Sequence, residues 1–168
     1  ATAVLLPFSK GLEKLAYLTI KADEETELPA EETADLQFLD ARFLDQPAFA
    51  IGQCKTVAIH MAEMAQKGLY TAMTLINNYQ KEKADMVVAL ENNVDHYEYQ
   101  LGTYLVKLSS RDLSQKDSHT LSLLLHCIGD FERISDHAVN IMEAAKEMHE
   151  KELFFSEKAE HELNIYMN

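Results

Sequence analysis

The residues in this chain best suited to chemistry are carboxylates. E-N-N-V-D-H at 91–96 and E-R-I-S-D-H at 132–137 repeat one pattern, Glu-x-x-x-Asp-His. Glu and Asp four residues apart stack on one helix face, where like charges weaken an isolated helix by about 0.2–0.5 kcal/mol. Carboxylates converging from two helices, with imidazoles nearby, offer hard oxygen and borderline nitrogen donors, a set suited to iron, manganese, magnesium or zinc. The candidate metal ligands are therefore Glu91, Asp95, Glu132 and Asp136. A cation would relieve their repulsion. The same residues also fit a plainer reading: solvated carboxylates, with Arg133 and lysines as neighbours, that recruit a basic partner without any metal.

Other chemistries find less support. His96 and His137 directly follow the aspartates and so point about 100° away from them on a helix. A carboxylate-bridged oxidase needs Glu-x-x-His pairs, and no histidine here has a glutamate three residues before it. No nucleophile elbow, phosphate-cradling glycine loop or Ser/His/Asp arrangement is present, so no catalytic residue is assigned and no enzyme is expected.

The elements that must position these side chains read as helices. Pro47 suits a first helical turn, and Asp45 is placed to serve that terminus. Phe49, Val57, Met61, Met64, Leu69, Met73 and Ile76 then recur at mixed helical spacings, predicting a helix over 47–79, with the methionines as core filler. Met86, Val87, Leu90, Val94, Tyr97, Leu101, Leu105 and Leu108 predict a second over 83–109. Ser114 with Asp117 forms a capping-box signature that opens a third over 115–150, through Leu121, Leu124, Leu125, Ile128, Phe131, Val139 and Met142. Ser156 caps a fourth helix, cut off by the end of the chain. Taking 100° per residue, Glu132 and Asp136 fall about 40° and 80° from Ile128, and Glu91 and Asp95 about 100° and 140° from Leu90. Both pairs sit at or beyond an edge of their buried stripe. The fold class is thus all-α, an antiparallel up-down bundle of three helices with a truncated fourth.

Composition narrows the partners. The 168 residues suit one domain, with 28 acidic against 15 basic residues and a formal charge of −13. That charge repels nucleic acid and anionic membrane surfaces, and lets phosphate approach only through a cation. Cys54 and Cys127 make neither a disulfide framework nor a zinc site and are expected as two reduced, packed thiols. Residues 1–20 are apolar, but the sequence holds no run of 18 or more apolar residues that would cross a bilayer, and they fit either a docked helix or the trimmed end of something larger. Residues 21–45 read as an acidic linker, leaving 46–168 for the bundle.

D-F-E-R-I-S-D-H-A-V-N-I at 130–141 resembles the D-x-E-R-I-G-D-H-A-x-N-I signature of PhoU-type domains, with Ser135 where that family often has Gly. The resemblance implies a three-helix bundle that regulates phosphate uptake and holds multinuclear metal, iron or zinc among the candidates, through Glu91, Asp95, Glu132 and Asp136. V-L-L-P-F-S-K-G-L-E-K-L-A, the acidic linker and F-L-D-A-R-F-L-D-Q-P-A-F-A-I further resemble the junction after the last membrane helix of bacterial sodium/phosphate cotransporter-family proteins. This implies that 1–20 is the remnant of a membrane domain and that the bundle lies on the cytoplasmic side of the cell membrane. Its implied partners are the transporter domain of the same chain, phosphate through metal, and a second copy in a homodimer.

Overall fold

The computed structural model describes residues 34–167. The expectations for 1–20 and for the first part of the linker lie outside the described residues. Three long helices, α1 (Pro47–Asn77), α2 (Lys81–Ser109) and α3 (Gln115–Glu150), precede a short α4 (Glu157–Met167), and among the described residues there is no strand. No helix among them is long and apolar enough to cross a membrane.

The short connections turn the chain back on itself. Gly68 of α1 lies against Leu90 of α2, His60 packs edge-on to Tyr97, and Asp45 reaches Arg111, so α1 and α2 run antiparallel. Gly102 of α2 lies against Ile128 of α3, and α3 returns parallel to α1, with Gly68 near Ala138 and Tyr79 stacked on His149. Each long helix packs on the other two, whereas α4 makes no comparable contact with them. A large core cluster gathers Val57, Met61, Tyr97, Leu101, Leu105 and Ile128. A smaller one at the other end joins Leu75, Val87, Met142 and several alanines.

α1 buries a broader face than the stripe its large residues mark: Val57, Met61 and Met64 are buried as expected, and Ile51 joins them. Ala50, Cys54, Ala58, Met61, Ala65, Gly68, Ala72 and Leu75 recur every three or four residues and are buried, while Phe49 is 45% exposed. Met86 and Leu125 likewise turn outward from the stripes expected for α2 and α3. Cys54 is fully packed, and burial pushes its thiol up to about 12, but Cys127 is only partly covered. From residue 34 onward the expected linker becomes part of the bundle. Two 3-10 turns, Ala34–Phe38 and Ala41–Phe43, lay Leu36, Leu39 and Phe43 against the larger core and bury Leu44. His60 Nδ1–H donates to the Asp35 carboxylate, and the Tyr104 hydroxyl donates to the Asp40 carbonyl at 3.0 Å.

The helix ends follow local chemistry. Pro47 opens α1, but Gln46 is its N-cap, with no side-chain bond, and Asp45 pairs instead with Arg111 at 3.4 Å. Ser114 Oγ accepts from the Asp117 N–H at 3.1 Å and donates to its carboxylate at 2.7 Å, as the capping signature predicts. Ser156 Oγ similarly accepts from the Ala159 N–H at 3.3 Å. α3 ends in a Schellman turn: Leu153 N–H donates to Met148 O at 2.9 Å and Glu152 N–H to His149 O at 3.3 Å. Glu152 thereby takes φ 52°, a left-handed conformation that favours glycine. Glu152→Gly is expected to stabilise the fold by about 0.5–1 kcal/mol in chemical denaturation. Leu101→Ala, in the fully buried core, is expected to cost about 2–5 kcal/mol in the same assay.

Candidate metal centre

α2 and α3 lie side by side with Leu90, Val94, Tyr97 and Ile128 buried, which leaves the flanking carboxylates at the rim of the seam between them. Glu91, Asp95 and Asp136 each offer an oxygen within 4.8 Å of the others. Glu91 is half-buried, and Asp95 and Asp136 are exposed. Of the four carboxylates expected from the sequence, the structure therefore brings three together. Glu132, one turn before Asp136, stays outside that set but within electrostatic reach of it. His96 and His137 are not among the converging groups, in keeping with their angular offset.

The electrostatics agree with the geometry. Partial burial, then Asp95, Asp136 and Glu132, hold the Glu91 carboxyl above its ordinary range. Burial and Asp136 do the same for Asp95. For Glu132 the causes are burial, Asp136, Asp95 and Glu98, with Arg133 opposing. Glu98 is the residue that sequence reasoning missed; its signal was its position three residues after Asp95, on the same side of α2. Arg133 turns to Asp130 at 2.5 Å and to the Gly129 carbonyl at 3.3 Å. Among the described residues none of Glu91, Asp95, Glu132 and Asp136 forms an ion pair.

These residues fit a metal ion. Oxygens within 4.8 Å of one another match the separation of ligands on a single divalent cation, whose bonds to oxygen run about 2.0–2.6 Å. The converging set contains no thiol and no imidazole, so it suits hard cations better than zinc.

The fold and this rim define an all-α bundle domain with a convergent acidic site. The chain belongs to the PhoU domain family, whose model matches residues 58–145, from the first half of α1 to the last turns of α3. It is also 22% identical over 92 residues to the phosphate-specific transport system accessory protein PhoU homolog of Clostridium acetobutylicum. That match covers 54% of this chain and 42% of the relative, so the chain spans less than half the length of the curated relative it matches. No solved structure matches the chain.

The raised carboxylates set the sign of a pH effect. A group that holds its proton more tightly folded than unfolded contributes stability below its unfolded value, and loses it as pH rises through the folded one. In chelator-treated protein, a Glu91→Gln, Asp95→Asn, Glu132→Gln variant is therefore expected to melt higher than the parent at about pH 7, the advantage shrinking toward about pH 4.5. A difference that stays constant across that range would contradict the coupling.

Proposed function

We propose that this chain is a non-catalytic PhoU-type regulatory domain of a sodium/phosphate cotransporter-type membrane protein, acting on phosphate uptake from the cytoplasmic side. Its acidic rim holds one or more hard divalent cations through Glu91, Asp95 and Asp136, with Glu132 beside them. The bound cation supplies the positive charge through which a phosphate group reaches a protein of net charge −13. Family membership and an accessory-protein relative support the link to phosphate transport. The junction-like residues before the bundle support a transporter domain on the same chain. The observation that carries the metal reading is the convergence of carboxylates from two helices with no basic side chain paired to them.

Elemental analysis of the purified chain is expected to find divalent metal that Glu91→Ala, Asp95→Ala, Glu132→Ala, Asp136→Ala together abolish, with phosphate binding lost in parallel. Equal metal content in both would remove the site. Several apolar spans directly upstream of Ala1 in the reading frame are expected from the transporter context. The exposure of Asp95 and Asp136 also suits a metal-free module that recruits a basic partner. Partner binding that survives chelation and weakens steeply with salt would single out that reading.

A further inference from the structure

Because α1 and α3 run parallel, their C-terminal ends share one end of the bundle, and an open cavity of about 590 Å³ lies there beside the chain that leads into α4. Much of its lining is apolar or aromatic, with Ile76, Tyr79 and Met148 from the bundle and Leu153, Phe154 and Phe155 from the connection. Tyr79 is stacked on His149 at 5.0 Å, and Phe154 is 90% exposed, a ring that belongs to neither core cluster. Glu150, Glu152 and Glu160 also line the cavity, and no lysine or arginine does. None of these three glutamates forms an ion pair among the described residues. A concave site of this volume, with rings and a few polar groups, has the dimensions of a small-molecule pocket.

The backbone gives this cavity the same sign of charge as its glutamates. The last turn of α1 holds no basic side chain, and the Asn78 N–H closes the helix on the Thr74 carbonyl at 3.3 Å. Beyond it the carbonyls of Leu75, Ile76 and Asn77, three residues that line the cavity, accept no hydrogen bond among the described residues. A helix C-terminus with open carbonyls carries partial negative charge and accepts from N–H donors. Glu152, also in the lining, is the one non-glycine residue with positive φ among the described residues, a backbone cost that a glycine would avoid.

We propose that this cavity binds a small organic cation, an apolar or aromatic body that carries an ammonium or guanidinium group. The body lies against Tyr79, Phe154 and Phe155, whose ring faces attract positive charge as well as apolar surface. The charged end donates its N–H groups to the open α1 carbonyls and to the glutamates. An anion finds no donor side chain of fixed positive charge there, and a bare metal ion gains nothing from the rings. Size favours a free molecule over one side chain of a protein partner, because a single lysine or arginine would leave most of the 590 Å³ unfilled. The site is separate from the acidic rim, since Glu91, Asp95, Glu132 and Asp136 are absent from its lining.

Titration calorimetry of the full chain at constant ionic strength, with phenethylammonium, agmatine and the uncharged phenethyl alcohol as probes, tests this. Phenethylammonium is expected to bind about tenfold or more tighter than the alcohol. Glu150→Gln with Glu152→Gln, and separately Phe154→Ala, all exposed positions that leave the helical circular dichroism intact, are each expected to weaken it about fivefold or more. Glu152→Gly separates binding from folding, because it is expected to stabilise the chain and yet to weaken the ammonium. The variant with alanine at all four rim carboxylates is expected to keep its affinity within about twofold. No binding of either cation up to about 10 mM overturns the proposal. So does equal affinity for the ammonium and the alcohol, a loss seen in the rim variant but in none of the cavity variants, or capture of an arginine-rich peptide by a chain that takes up neither free cation.

Discussion

Close approach of α1 to both other long helices is the constraint on which the rest of the bundle depends. α1 presents to α2 and α3 a face that mixes small residues, Ala50, Ala58, Ala65, Gly68 and Ala72, with Val57, Met61 and Leu75, and at Gly68 the side chains of Leu90 and Ala138 stand at ordinary contact distance from where a Cβ would be. Larger residues on this seam would wedge the helices apart and cost packing throughout the core. With α1 seated so close, α2 and α3 also meet along their lengths. Their carboxylates are then held at the rim of the seam between them.

That rim is electrostatically costly, and the fold does little to relieve it. Arg133, the nearest base in the sequence, turns to Asp130 instead, and each of Glu91, Asp95 and Glu132 is pushed toward its protonated form by burial and by its neighbours.

Much of the fold was legible in periodicity and caps. The three long helices begin and end within about two residues of their expected bounds, and Ser114, Pro47 and Ser156 mark helix starts as their chemistry implies. What was misread is instructive. The stripe of α1 was traced through its large residues, of which Val57, Met61 and Met64 are buried as expected; Phe49 instead is 45% exposed, and Ala50, Ala58, Ala65 and Ala72, which share the buried face, went unread because a helix that serves two neighbours buries small side chains as well as large ones. Asp45 was taken as a terminus-serving residue, but tertiary contact with Arg111 claims it. Residues 34–45 read as linker from their acidity, although four hydrophobic side chains among them, Leu36, Leu39, Phe43 and Leu44, dock on the core. The Schellman turn at Glu152 carried no glycine to announce it.

The sequence by itself determined the helical fold, the lengths of its elements and the two Glu-x-x-x-Asp pairs, because helix period and local capping act over a few residues. Only the tertiary structure decided which carboxylates meet. Glu91, Asp95 and Asp136 come within one ion's reach, Glu132 stands a turn away and Glu98 joins their field. Those relations depend on how far α2 and α3 are rotated and shifted against each other, and that is set by the packing of all three helices together rather than by any one of them.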